Sequence, residues 1–129
     1  MSALRYGIVN LRRLDDQAAA HGLSDLQEAR FARGDLGAAR VGVSLQRVKP
    51  GKRHAFGHRH RSDEEIYVVL GGAGRVKLDD EVVEVGPLDA IRVAPEVARG
   101  FEAGPDGLEL LAFGTHHDGD PEVIEGFWD

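Results

Sequence analysis

The chain has 129 residues, with 16 Lys and Arg against 22 Asp and Glu, a formal net charge of −6, and no cysteine. That length suits one domain and is enough to hold a core without disulfides or a structural metal. The acidic balance argues against nucleic acid or an anionic membrane as the main partner. The lack of cysteine removes disulfides, a thiolate zinc site and a cysteine nucleophile.

The opening stretch carries Arg12, Arg13, Asp15 and Asp16 and has no long apolar run, so no signal peptide is expected. Nor does any segment approach the ~18 apolar residues of a membrane span. A soluble, cytoplasmic protein is the expectation. Tyr6–Leu11 is a candidate short strand. Leu11, Leu14 and Ala18 fall at helical spacing with Gly22 closing the pattern, and Ser24-Asp25-Leu26-Gln27 has the form of a capping box ahead of a weak helix over 28–33. Residues 1–40 therefore read as an arm with a short helix or strand.

From Val41 the period changes to two. Val41, Val43 and Leu45 share one face of a strand, and Gly42, Ser44 and Gln46 share the other. After a turn at Pro50-Gly51 come a His-rich run over 54–60 and a strand over Glu65–Leu70. A Gly cluster at 71–74 is read as separating that strand from Gly74–Leu78. A turn at Asp79-Asp80, strands over Glu81–Val85 and Ala90–Val93, a turn at Ala94-Pro95, a segment to Phe101, a turn at Gly104-Pro105 and a strand over Leu108–Phe113 follow. Roughly seven or eight short strands at this spacing predict an all-β sandwich or barrel of antiparallel strands. Ile66–Leu70 and Leu108–Phe113 are apolar on nearly both faces, so both strands are expected to be covered on both sides. The acidic tail carries Val123, Ile124, Phe127 and Trp128, which are costly to leave in water, and is expected to fold back on the barrel or onto a neighbouring subunit.

The chemistry concentrates in Gly57-His58-Arg59-His60-Arg61-Ser62-Asp63-Glu64-Glu65. Residues two apart on a strand point the same way, so His58 and His60 aim into one cavity while Arg59 and Arg61 face water. Two imidazoles and a carboxylate make a face suited to Zn, Fe, Mn or Ni with open positions left over. Glu64 and Glu65 are the rival carboxylates. His54 shares the alternation of His58 and His60 but lies about ~13 Å away along an unbroken strand, which places it at the pocket or its rim. Tyr67 is read either as a ligand hydrogen-bond donor or as core. His116 and His117, beside Asp118 and Asp120, read as a solvated turn rather than a second metal site. No Ser/His/Asp arrangement or phosphate loop is legible, so catalytic residues are unknown.

His58-x-His60, four residues, Glu65, six residues and Gly72, with Val69-Leu70-Gly71-Gly72 at the end, resembles the first sequence motif of the cupin superfamily. The resemblance covers residues 41–114. It implies a cupin barrel (a jelly-roll-like double-stranded β-helix) with His58, His60 and Glu65 as metal positions. Leu88–Phe101 resembles the second motif in length and in its closing aromatic, but Arg99 stands where that motif has a fourth, His ligand, and Arg does not ligate cations. By the same resemblance Arg99 points into the cavity, where it pairs with Glu65 or with the carboxylate or phosphate of a ligand; otherwise it turns to solvent. Two functions follow. One is a cavity that binds a small molecule, anionic if Arg99 is its partner, beside a divalent ion; the other is a metal-dependent enzyme, dioxygenase- or isomerase-like, acting on a small oxygenated substrate. Arg99, Tyr67 and His54 are the ligand-binding candidates. The expected organisation is an arm over 1–40, a barrel over 41–114 and a packing tail over 115–129, assembled as a homodimer like other small cupins.

Overall fold

The computed structural model describes residues 5–129; residues 1–4 of the expected arm lie outside the described residues. After a 3-10 turn at Leu11–Arg13 come helix α1 (Gln17–Ala20), strand β1 (Gln27–Phe31), helix α2 (Arg33–Leu36) and strand β2 (Val41–Val48). Strands β3 (Gly57–His60), β4 (Glu65–Leu78), β5 (Glu81–Val85), β6 (Ala90–Val93), β7 (Arg99–Thr115) and β8 (Pro121–Ile124) complete the described chain. All pairings are antiparallel, as the turn spacing predicts. The eight strands form one curled sheet, a half-barrel in which long β7 runs between β2 and β3 and also pairs with β4.

Several local readings are overturned. Residues 6–10 form no strand. The stretch after the capping-box pattern is β1, all five residues of which pair with β2. A full ladder outweighs the weak helical preference of those residues. The Gly cluster at 71–74 does not separate two strands; it lies inside 14-residue β4. The Gly104-Pro105 turn likewise lies inside 17-residue β7. Both long strands bend at a register shift between the pairs Gly72–Leu108 and Gly74–Ala103. Pro105 falls in that shift, where no ladder partner in β4 needs its missing N–H.

The core gathers the inward positions of these strands, including Val48, Tyr67, Val69, Val76, Phe101, Leu108, Leu110 and Ala112. Ile66–Leu70 and Leu108–Phe113 are covered on one face only. Their inward residues are buried, whereas Leu70 is 40% and Phe113 39% exposed on the other face. The polar side of β2 faces inward, with Ser44 and Gln46 on the cavity wall. At the far end β8 pairs along the whole of β3. Phe127 then packs on Gly57 so closely that a Cβ there would lie 2.5 Å from the ring. Lys77 donates to the Phe127 carbonyl, and Arg53 sits 4.9 Å over the Trp128 ring. The sheet thus includes β1 and β8, one on each side of the 41–114 stretch.

Gly72 has φ +73°, and a Cβ there would overlap the Gly107 carbonyl oxygen; neighbouring Gly71 opens on free space. Gly72→Ala should lower the urea midpoint by the equivalent of at least about 1 kcal/mol, with Gly71→Ala far milder. Equal midpoints for the two variants would refute the close approach at the bend.

Candidate metal and ligand cavity

β3 and β4 place the candidate cluster. Pairing with β8 keeps β3 extended, so His58 and His60 turn to the cavity while Arg59 turns out to Glu122 at 3.0 Å. Glu65 opens β4 between Gly114 of β7 and Val93 of β6. A Cβ at Gly114 would overlap the Glu64 carbonyl oxygen, so glycine lets β4 lie this close where the carboxylate is presented.

The ring nitrogens converge on one atom. His58 Nε2 and His60 Nε2 each lie 3.1 Å from Glu65 Oε1, and the two ring centroids are 5.1 Å apart. The Tyr67 hydroxyl donates to the same oxygen at 2.7 Å, and Arg99 Nε stands 3.9 Å from it. Burial opposes charge on Glu65, but the hydrogen bonds from His58, His60 and Tyr67 outweigh it and hold the carboxyl well below its ordinary range. Burial and then the Glu65 charge push Tyr67 well above the usual phenol value, so it stays a donor. Burial also opposes protonation of His60, yet its bonds to Glu65 and Asp120 raise its pKa.

This cluster occupies the wall of a cavity of about 660 Å³, lined on the N-terminal side by Ala18, Leu23 and Phe31. His54 lines it too, although outside β3. The Phe101 N–H donates to His54 Nδ1 at 3.1 Å, so the ring proton sits on Nε2. Burial, then the neighbouring His58, lowers its pKa to about 4, which leaves a neutral N–H donor at the cavity. Arg99 and Tyr67 do not reach the cavity wall. At 0% and 1% exposure they lie behind Glu65 and touch the site through that carboxylate. Arg99 Nη2 donates to the Ala94 carbonyl at 3.1 Å, while Nε and Nη1 have no hydrogen-bond partner. Glu64 is not the inward carboxylate; it pairs with Arg92 at the surface.

A divalent ion suits this donor set. His58, His60 and Glu65 each bring one ligand atom within 4.8 Å of the others, and two imidazoles with a carboxylate match Zn, Fe, Mn or Ni. Arg99 adds no fourth ligand; it is the countercharge behind Glu65.

Two carboxylates that sequence reading left aside are buried around the turn that joins β3 to β4. Asp120, in the turn expected to be solvated, is 6% exposed and accepts from His60 Nδ1 at 3.1 Å. Buried Asp63 accepts from His117 Nδ1 at 2.6 Å and from the Thr115 hydroxyl at 2.9 Å. Nothing in the local pattern marks either one, because their partners are more than fifty residues away in the chain.

The family model of the cupin domain matches residues 44–113. The chain is a cupin. An uncharacterized protein of Methanocaldococcus jannaschii is 34% identical over 71 residues, which cover 53% of this chain and 57% of that relative's length. A cupin protein of Bacteroides fragilis superposes with a TM-score of 0.71 at 22% identity, over 91% of this chain and 89% of that one. Oxalate decarboxylase of Bacillus subtilis superposes at 0.65 with 20% identity, over 76% of this cupin but 28% of the larger chain. At these identities the solved structures speak for the fold alone. Among the described residues no helix is long and apolar enough to cross a membrane.

The His54 environment sets a pH dependence. Its folded pKa, about 4, lies below the ordinary 6.5, so the unfolded chain binds the proton more readily between those values. Its contribution is intact above pH 6.5 and is lost as pH falls towards 4. Wild type should lose stability over that window more steeply than His54→Gln, and a His54 NMR titration should show a midpoint near 4. A midpoint at the ordinary value would refute the half-buried, neutral ring.

Proposed function

We propose that this cupin binds a small oxygenated molecule in its cavity, beside a divalent ion held by His58, His60 and Glu65. The observation that carries this reading is the convergence of three ligand atoms on the wall of a cavity of about 660 Å³, a size suited to a small-molecule ligand. A bound ion would act there as a Lewis acid on a ligand oxygen, three protein ligands leaving positions free. His54 Nε2–H offers a neutral hydrogen bond to a second acceptor, and Phe31 and Phe56 supply apolar wall. Arg33 adds a cationic group to the same lining, which suits an anionic ligand. Arg99 serves this reading by balancing the Glu65 charge from behind. Binding is favoured over metal-dependent turnover of dioxygenase or isomerase type because Arg99 takes the fourth ligand position of the family motif.

Elemental analysis of untagged protein should find a divalent metal that is lost in the His58→Ala/His60→Ala variant. Equal metal content in both would remove the site. In parallel metal titrations, Arg99→His should bind more tightly than wild type, because it removes a permanent cation 3.9 Å from the ligating oxygen of Glu65; an unchanged affinity would refute Arg99 as the countercharge of that carboxylate. Turnover of an oxygenated compound that copurifies with the protein would favour the enzymatic reading.

We propose further that the chain pairs into a cytoplasmic homodimer through the outward face of β2, β7 and β4. That face leaves Val41 57% exposed next to Phe113, on adjoining strands of the same sheet, and large exposed apolar patches commonly mark interfaces. Light scattering should give twice the chain mass; a concentration-independent 14.0 kDa would reject the dimer.

A further inference from the structure

The carboxylate of Asp120 is buried between the turn that joins β3 to β4 and the start of β8. Its oxygens accept three consecutive backbone N–H groups: Arg61 at 3.1 Å, Ser62 at 3.0 Å and Asp63 at 3.1 Å. Oδ2 also faces His60 Nδ1 at 3.1 Å. An ionised carboxylate only accepts, so Nδ1 must carry the proton in that contact. Nε2 faces Glu65 Oε1 at 3.1 Å, so the protonated ring donates to both carboxylates; the proton a metal displaces is the one on Nε2, which leaves Nδ1–H held by Asp120.

One alternative use of these groups is a second cation site, since His60, Asp63 and Asp120 each have a ligand atom within 4.8 Å of the others. The hydrogen bonds argue against it. Asp120 is filled by the three backbone donors and His60. Asp63 is filled by the Thr115 hydroxyl, the His117 ring and the His117 N–H at 3.0 Å. Donated protons occupy the space a cation would need.

We propose that Asp120 is the positioning residue of the cluster: it fixes the tautomer and ring angle of His60 and, through the turn, the spacing between the β3 histidines and Glu65. The idea rests on the metal reading of His58, His60 and Glu65 but adds a residue from outside their strands. It makes the C-terminal segment part of the site. A carboxylate behind a ligating imidazole holds the ring and raises its basicity, and loss of such a partner costs about 10–100-fold in metal affinity. Asp63 is the matched control, because it ties the same turn to β7 without touching His60.

The test is a calorimetric Zn²⁺ titration of wild type, Asp120→Asn, Asp120→Ala and Asp63→Asn, with folding checked by amide NMR spectra; if Asp120→Ala does not fold, Asp120→Asn carries the comparison. Both Asp120 variants should bind about 10–100-fold more weakly, and Asp63→Asn should stay close to wild type. Unchanged affinity in the Asp120 variants, or an equal loss in Asp63→Asn, would overturn the proposal. Nitrogen NMR of the metal-free proteins at alkaline pH, where the ring is neutral, reads the tautomer directly. His60 should be Nδ1–H in wild type and Asp63→Asn, and should shift towards Nε2–H in the Asp120 variants. A wild-type ring protonated on Nε2 would also overturn it. Wild type that binds no Zn²⁺ yet shows the expected tautomers would end the metal reading while upholding Asp120 as the residue that orients His60.

Discussion

A single buried oxygen, Glu65 Oε1, organises the inner face of the sheet. His58, His60, Tyr67 and Arg99 all approach it, and they come from β3, β4 and β7. A carboxylate removed from water is costly unless donors and countercharge replace its hydration. The converse also holds, since Arg99 is sealed at 0% exposure with two unpartnered nitrogens and has Glu65 as its nearest carboxylate at 3.9 Å. Removing Glu65 would strand a buried guanidinium. Removing Arg99 would leave the carboxylate with neutral or titrating partners only. The pair therefore belongs to the stability of the barrel as well as to its cavity.

Around that centre the chain is arranged in shells. The histidines and Glu65 face the cavity, Tyr67 and Arg99 lie behind Glu65, and Asp120 lies behind His60. Glu65 and His60 each have a partner that is itself buried and hydrogen-bonded, which helps to hold both ligands in one geometry. The N-terminal segment lines part of the same cavity. Asp16 caps α1 through Ala18 N–H at 3.0 Å and reaches Ala29 N–H at 2.9 Å, so one carboxylate ties helix, first strand and cavity wall together.

The misread elements share one cause. The helix expected over 28–33 and the breaks expected at 71–74 and 104–105 rest on local propensity, which weakens wherever a neighbouring strand supplies a full ladder. β1 is held by β2 over its whole length, and the glycines of β4 let it bend against β7 instead of ending. The assumption that two apolar-faced strands must be covered on both sides fails for another reason. A small half-barrel has one interior, and the outward apolar residues stay partly in water.

What the sequence by itself determined is local and periodic. The alternation from Val41 onward, the two-residue step from His58 to His60, the spacing to Glu65 and Gly72, and Arg99 at the fourth motif position are all legible, because strand geometry converts spacing directly into facing. Only the tertiary structure decided which carboxylate turns inward, that Arg99 is sealed behind Glu65, and that His54 is a neutral donor. It alone shows that Asp63 and Asp120 are buried partners, although the local pattern puts Asp120 in a solvated turn. Those outcomes depend on contacts between residues 28 to 60 positions apart, from Arg92 with Glu64 to His60 with Asp120. Burial, tautomer and charge pairing are properties of such contacts, and no window of the chain contains both partners.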